Sequence, residues 1–303
     1  MSERCGDLVI RVHGGHHYVE TDQGVIDCKI RGLLKRRRRG SDLVAIGDRV
    51  CWTPTDDGGG IIESVAPRTR VLSRKPPRSG MAGDQEQVIV ANPDQALVVF
   101  AHQNPEPNPL MLDRYLVACE AAFIPVMIVA NKCDLLETGM EDPFERYRRI
   151  GYQVLRTSAA TGENIETLRE LLRGKLSVLT GPSGAGKSSL LNALWPGLDL
   201  KTGEISSYND RGKHTTVVAS LLNPEPDIYV ADTPGMRVFM YWDIDPEQLD
   251  AFFPEMRPYL GHCRFQPCTH THEPDCAVHQ AADRGEIDPL RYESYCKMFE
   301  YAF

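Results

Sequence analysis

Apolar and polar positions alternate with a period of two along the first part of the chain, in short runs at residues 8–12, 17–20, 25–30, 48–53 and 61–65. That period sends successive side chains to opposite faces of a pleated strand, so each run can bury one face and wet the other. Turn formers separate the runs, Gly14-Gly15 most plainly. Five short strands in so short a stretch predict a small closed barrel, with the OB-fold first among the choices. His13, His16 and His17 flank the Gly-Gly turn, and with no thiol or carboxylate beside them in sequence they read as hairpin residues in preference to a metal cluster.

The pattern then changes. Runs at 96–101, 126–130, 152–155, 176–180 and 228–231 are apolar on both alternating sets of positions, as strands of a parallel sheet covered on both faces must be. Segments 112–122, 164–172 and 187–194 between them carry helical spacing, which makes the fold class α/β. Residues 73–87 are rich in Arg, Pro, Ser and Gly and read as a basic linker able to touch a partner. From about residue 245 helical and loop sequence dominates. The expected organisation is a barrel over residues 1–75, an α/β domain over 76–240 and a small helical domain over 241–303.

Charge divides along the same lines. The 303-residue chain carries a net −8, yet residues 1–78 hold 15 Lys and Arg against 10 Asp and Glu (+5), and the remainder 19 against 32 (−13). A basic module on an acidic body suits a polyanionic partner, the alternative being a plain solvated surface. Lys35-Arg36-Arg37-Arg38-Arg39 falls between predicted strands of the barrel. Five consecutive cations repel one another, and a polyphosphate partner relieves that cost by releasing counterions, so RNA is the preferred partner, with a solvated loop as the alternative. No apolar run approaches the roughly 18 residues of a membrane span, and the N-terminus, with Glu3 and Asp7, lacks an apolar signal core. A cytoplasmic location is expected.

The chemistry sits in short motifs. Gly181, Pro182, Ser183, Gly184, Ala185, Gly186, Lys187 and Ser188 spell GxxxxGK[ST] between a predicted strand and a predicted helix. In such a loop the glycines let backbone amides surround phosphates, the lysine reaches the β and γ oxygens, and the Ser188 hydroxyl ligates Mg²⁺. Asp232, at the end of the run 228–231, is placed to hold the Mg²⁺ shell, and Gly235 of Asp232-Thr233-Pro234-Gly235 to present its amide to the γ-phosphate. Asn131-Lys132-Cys133-Asp134 lies just past another strand, at the edge where α/β sheets bind ligands. A carboxylate at Asp134 accepts two hydrogen bonds from the guanine edge, which adenine cannot offer, while Lys132 lies along the base and Asn131 ties this loop to the phosphate loop. Thr157-Ser158-Ala159 supplies amides for the guanine carbonyl, so GTP is favoured over ATP. These motifs stand in rotated order, the base-reading ones before the phosphate loop, which marks a circular permutation.

Met236 stands where Ras-like enzymes carry the Gln that orients water. His214, beside Thr215-Thr216, is the local candidate to orient or deprotonate that water; packing or partner binding is its alternative role. One hydroxyl of Thr215 or Thr216, with Thr216 favoured, completes the Mg²⁺ shell.

Of nine cysteines, Cys5, Cys28, Cys51, Cys119, Cys133 and Cys296 are scattered and read as reduced packing residues. Cys263, Cys268, His270 and Cys276 cluster within fourteen residues, with His262 and His272 as neighbours able to substitute. Three thiolates and an imidazole suit a closed tetrahedral zinc site, a staple that lets a short appendage hold its shape without a large core.

Motif order, the Gly212-Lys213-His214-Thr215-Thr216 segment, the stretch around Cys263 to Cys276 and the leading β-barrel together resemble the RsgA (YjeQ) family of small-ribosomal-subunit-dependent GTPases. The resemblance spans nearly the whole chain. It implies an OB-fold, a permuted P-loop GTPase domain and a zinc-binding C-terminal domain, and a monomeric factor that binds ribosomal RNA late in small-subunit maturation, with hydrolysis stimulated by that subunit. Carried over by position, nucleotide contacts fall on Asn131, Lys132, Cys133, Asp134, Ser158, Ala159 and on Gly181 to Ser189, Ser188 and Ser189 included. Zinc falls on Cys263, Cys268, His270 and Cys276.

Overall fold

The structure, a computed structural model, describes residues 3–32, 43–74, 87–200, 219–232 and 244–302. The run Lys35 to Arg39, His214, Thr215, Thr216, Gly235 and Met236 lie outside the described residues, and of Asp232 only the backbone is described.

Five strands make the barrel: β1 (Arg4–His13), β2 (His16–Thr21), β3 (Gly24–Ile30), β4 (Arg49–Pro54) and β5 (Gly60–Val65). They run in the order β1-β2-β3-β5-β4 and close where β4 returns to β1, with β3 and β5 parallel. Alternation fills the interior with Val9, Val19, Cys28, Val50, Trp52 and Ile62. The barrel leaves no room at Gly60, where a Cβ would come within 2.6 Å of both Cys28 Sγ and the Trp52 ring. His16 meets a carboxylate after all, Asp27 on the neighbouring strand at 2.9 Å, so this turn histidine is tied into the hairpin surface.

Two expectations are corrected here. Cys5 and Cys51 are not separate thiols: they are joined in a disulfide across β1 and β4, where the register sets them directly opposite. Forty-six positions separate them, and no linear reading of the sequence pairs them. The stretch read as linker also starts and ends in regular structure. Its Ser73, Arg74 and Gln87 belong to a two-stranded ribbon of β6 (Val71–Arg74) and β7 (Gln87–Ala91).

The α/β domain builds on β8 (Gln95–Ala101), β9 (Val126–Asn131), β10 (Gln153–Arg156), β11 (Lys175–Thr180), β12 (Ala219–Glu225) and β13 (Ile228–Asp232). Their order is β10-β9-β8-β11-β13-β12, all parallel except β12. Burial on both faces explains the unbroken apolar runs. Ala96, Val98 and Phe100 of β8 face the helices α1 (Pro109–Ala121) and α2 (Glu145–Ile150), while Leu97 and Val99 face α3 (Ile165–Leu172) and α4 (Lys187–Leu194). Each of the larger ones, Leu97, Val98, Val99 and Phe100, contributes about 1.5–3 kcal/mol by leaving water. Asn108 caps α1 by accepting from the Met111 amide at 3.0 Å, and Pro109 occupies the first turn, where its missing N–H costs nothing.

β12 was not foreseen as a strand, because Asn223-Pro224-Glu225 breaks its apolar run. It joins the two sheets: Ala219 and Ser220 pair with Val12 and Arg11 of β1, so one eleven-stranded sheet runs from β10 through the barrel.

The C-terminal region packs a 3-10 segment (Pro246–Phe252), α5 (Ala277–Asp283) and α6 (Pro289–Ala302) around Leu249, Phe253, Met256, Val278, Ala281, Ile287 and Tyr295. Val117 of α1 belongs to the same cluster. The region thus has a core of its own, borrowed in part from the α/β domain, where the sequence suggested a metal staple alone. Arg291, fully buried, reaches Asp113 of α1 at 2.6 Å and Glu255 at 2.6 Å.

Candidate functional site

Four strands of the parallel sheet end on one edge, and the sequence-predicted nucleotide motifs leave from those ends. The loop after β11 runs from Gly181 to Gly186 and turns into α4. Two of its glycines are sterically required. Gly181 has φ +135° and a Cβ there would fall 2.0 Å from the Val99 carbonyl oxygen; Gly186 has φ +93° and a Cβ would fall 2.3 Å from Asn131 Nδ2. The loop therefore packs so tightly on its neighbours that any side chain at either position forces it apart. Gly184, at φ +78°, comes against Pro105, while Ala185 is fully buried. Pro182, Ser183, Ser188 and Ser189 complete the loop and the start of α4, and the Lys187 ammonium donates to the Gly181 and Pro182 carbonyls at 2.8 Å each. Gly186 precedes the first helical residue, Lys187, so the α4 N-terminus opens directly into the loop.

The second motif hangs from β9. Asn131, 1% exposed, donates from Nδ2 to the Ala185 carbonyl at 2.9 Å and takes the Thr157 hydroxyl on Oδ1 at 3.3 Å. One side chain thereby fixes three loops that lie 26 and 54 positions apart in sequence. Lys132 follows in the left-handed region (φ +57°), which swings its side chain over Asn104, whose carbonyl accepts from Nζ. The Cys133 side chain turns inward, and burial pushes its thiol up to about 11, so it packs as a neutral group. Asp134 is held by the Ser158 hydroxyl at 2.5 Å, and Ser158 Oγ in turn accepts the Thr161 amide at 3.1 Å. The Cys133 amide donates to the Thr157 carbonyl at 3.1 Å, closing the loop after β9 onto the loop after β10, with Ala159 next in line. A carboxylate oriented in this way, next to a lysine stem, can read a pair of donors on a flat ring.

Reading the sequence missed two groups here. His102, at the end of β8, is buried and donates its backbone amide to the Asn131 carbonyl at 2.9 Å, with Nδ1 at 3.1 Å from the same oxygen. Burial lowers its pKa, which keeps the imidazole neutral. Asn104-Pro105 is the other, set between Lys132 and Gly184. Neither belongs to a motif, and only their place just beyond β8, at the ligand edge of the sheet, could have pointed to them.

A second cluster lies in the C-terminal region. Cys263, Cys268, His270 and Cys276 bring their ligand atoms within 4.8 Å of one another, and such a set could hold a metal ion. Cys263 Sγ is 3.8 Å from Cys276 Sγ, and His270 Nδ1 is 3.5 Å and 3.4 Å from those two sulfurs. Zinc bonds of about 2.3 Å to sulfur and 2.0 Å to nitrogen, set tetrahedrally, place ligand atoms about 3.8 Å and 3.5 Å apart, so the donors fit that ion. Backbone amides of Ala277 and His279 point at Cys263 and Cys276 at 3.4 Å, as thiolates need. His262 and His272 are exposed and stand apart from the cluster.

Comparisons with known proteins show what the chain is similar to. The sequence profile described as RsgA GTPase matches residues 65–242, and that described as RsgA N-terminal domain matches 7–62. A small ribosomal subunit biogenesis GTPase RsgA from Gemmatimonas aurantiaca is 44% identical, covering 98% of this chain and 97% of its own length. One of the same name from Chlorobaculum tepidum is 39% identical, covering 99% of both chains. Among solved structures, YjeQ from Thermotoga maritima superposes with a TM-score of 0.78 at 36% identity, covering 99% of both chains. YloQ, described as a circularly permuted GTPase, gives 0.75 at 30% identity over 99% of this chain and 95% of its own.

Proposed function

Since the chain belongs to the RsgA family of circularly permuted GTPases, we propose a specific division of labour among the groups just described. The protein is a GTPase of small ribosomal subunit biogenesis, and GTP and that subunit are its partners. In our reading residues 1–75 engage ribosomal RNA, 76–240 bind and hydrolyse GTP, and 241–303 form a zinc-held domain that responds to the nucleotide. The protein works as a cytoplasmic monomer, late in maturation, is stimulated by the subunit and leaves it after hydrolysis. Among the described residues no helix is long and apolar enough to cross a membrane.

The observation that carries this reading is the Asn131–Ala185 hydrogen bond, with Asp134 held by Ser158 beside it. These bonds make one pocket of segments that the permuted chain scatters, with a carboxylate for guanine at one end and a phosphate loop at the other. Asp134 accepts from the guanine ring N–H and exocyclic amine; Ser158 fixes its oxygens, and the Ala159 amide meets the guanine carbonyl. Amides of the loop and the α4 terminus surround the phosphates, and Lys187 turns from its two carbonyls to the charged oxygens. Ser188, Thr216 and Asp232 would hold Mg²⁺, which when bound neutralises charge on the phosphates. His214 positions the attacking water or takes its proton, in the absence of a glutamine at Met236. Cys263, Cys268, His270 and Cys276 hold zinc, a structural role, since the ligand set is closed.

Calorimetry of the purified protein with GTP and with ATP tests the pocket, and turnover with and without small subunits tests the rest. Tight GTP binding, absent ATP binding and stimulated turnover are expected. Asp134→Ala should weaken GTP by 10²-fold or more, since it removes a charge-assisted bidentate contact. His214→Ala should lower stimulated turnover with GTP affinity nearly unchanged. Equal heats for the two nucleotides defeat the guanine reading, and undiminished turnover removes His214 from the mechanism.

A further inference from the structure

Resting on the proposed zinc site, we infer that Asp250 is a positioning residue for the metal, one that ties metal binding to the face packed on α1. His270 presents Nδ1 to the sulfurs of Cys263 and Cys276, and its other ring nitrogen, Nε2, lies 3.1 Å from Asp250 Oδ2. An imidazole ligating through Nδ1 must carry its proton on Nε2. A carboxylate accepting that proton's hydrogen bond fixes both tautomer and ring plane, and makes the ligating nitrogen more basic.

Asp250 has no freedom to do otherwise. Its second oxygen, Oδ1, accepts the Ala251 amide at 2.7 Å, so the carboxylate is clamped to its own 3-10 turn at one end and to the imidazole at the other. His270 is held from behind as well: its backbone, at φ +59°, offers its carbonyl to the Tyr292 hydroxyl at 2.8 Å. The ring is thus oriented by two elements, α6 through the backbone and the segment Pro246–Phe252 through Asp250. That segment follows the Asp232 strand in sequence, and its Leu249 packs in the cluster that contains Val117 of α1. Asp250 also lines a groove of 920 Å³ between this segment and the edge formed by Phe123, Val126 and Tyr152. The carboxylate therefore touches both a metal-facing imidazole and the groove between the two regions.

The test measures Zn²⁺ affinity of the full chain by competition with a chromophoric chelator, and the visible spectrum of the Co²⁺-substituted protein, for Asp250→Ala, Asp250→Asn and Leu249→Ala. Asp250→Ala should weaken Zn²⁺ by 10–100-fold and perturb the Co²⁺ ligand-field bands. Asp250→Asn should fall between it and the unaltered chain, because one amide oxygen cannot serve both Ala251 and His270. Leu249→Ala removes packing from the same turn but leaves the carboxylate in place, so it should lower thermal stability and leave the Co²⁺ spectrum unchanged. Unaltered Zn²⁺ affinity in Asp250→Ala overturns the inference, as does a loss in Leu249→Ala equal to that in Asp250→Ala, which would reduce Asp250 to packing. A parent chain that binds no Zn²⁺ at all fails the zinc reading beneath it, and the inference falls with it.

Discussion

The α/β domain shares apolar packing with both of its neighbours, but the polar groups that join it to each differ in kind. The barrel is attached by continuing a sheet: Val12 and Arg11 pair with Ala219 and Ser220, and Glu20 accepts the Tyr229 hydroxyl at 2.6 Å and the Asn223 amide at 2.9 Å. The Glu20 bonds are surface contacts, each replaceable by water at about 1 kcal/mol, and beneath them Leu8 and Ile46 pack into the apolar cluster of the α/β domain beside Leu176 and Leu221. The C-terminal region is attached by a shared core around Val117 and by a buried charge cluster, with Arg291 between Asp113 and Glu255, stacked 4.6 Å from the Phe253 ring. Tyr147 adds its hydroxyl to Asp113 at 2.9 Å. Buried ions repay their desolvation only while every partner is in place. A junction of the first kind weakens piecemeal, and one of the second kind fails as a unit.

The largest separation of the two should come from removing the proposed zinc. A structural zinc site contributes on the order of 10 kcal/mol to its domain. Chelation should therefore abolish amide-exchange protection through residues 244–302 and leave β1 to β5 protected. Equal loss in both regions, or none in either, contradicts the contrast.

Next in size is Arg291→Ala. Two carboxylates that shared one guanidinium would be left buried and unpaired, which costs about 3–5 kcal/mol. Replacing Arg291, Asp113 and Glu255 together by Met, Leu and Gln should recover most of that loss, because the penalty belongs to the orphaned charges. Denaturant midpoints for the two variants decide it: if the triple variant is no more stable than Arg291→Ala, the junction depends on the ion pairs themselves.

This contrast marks where the sequence could be read and where it could not. The five barrel strands and the central parallel strands were legible because period-two alternation and fully apolar runs are local signals that burial imposes on each strand separately. The phosphate loop was legible because its glycines, Gly181 and Gly186 at positive φ among them, and its lysine stand at fixed short spacing, and the Cys263–Cys276 cluster because its residues are near in sequence. What stayed hidden depends on long-range register. Arg291 reads as one more helix-surface cation on α6, and nothing nearby announces Asp113, 178 positions earlier. Asp250 looks like a solvated turn carboxylate until the fold brings His270 to it. The Cys5–Cys51 bond follows from the β1–β4 register, which a linear pattern does not encode.

That disulfide offers the third test, on the barrel side. Closing a loop of 46 positions should stabilise its domain by about 2–4 kcal/mol, chiefly by restricting the unfolded chain. Cys5→Ser with Cys51→Ser should lower the melting temperature of the barrel and leave Zn²⁺ affinity and the α6 junction unmoved. A matching loss of protection in residues 244–302 would mean that the two ends of the molecule unfold together.

The smallest effect expected is also the one that isolates the sheet-type junction most cleanly. Tyr229→Phe deletes the hydroxyl that Glu20 accepts and nothing else, so it should cost about 1 kcal/mol and leave the barrel folded. The same bond gives the junction a pH signature. Burial first, and the neighbouring Glu20 second, raise the Tyr229 hydroxyl from 10.0 to about 12. A folded-state pKa above the unfolded one means stability that is complete below pH 10 and lost as pH rises toward 12, because the phenolate both desolvates poorly and repels Glu20. A difference titration of tyrosinate absorbance between the parent chain and Tyr229→Phe should show one group ionising late, and that late step should move down in Glu20→Gln. A step unmoved by Glu20→Gln would assign the shift to burial alone, and the barrel would then be held by the Val12–Ala219 ladder and the packing of Leu8 and Ile46 without help from this contact.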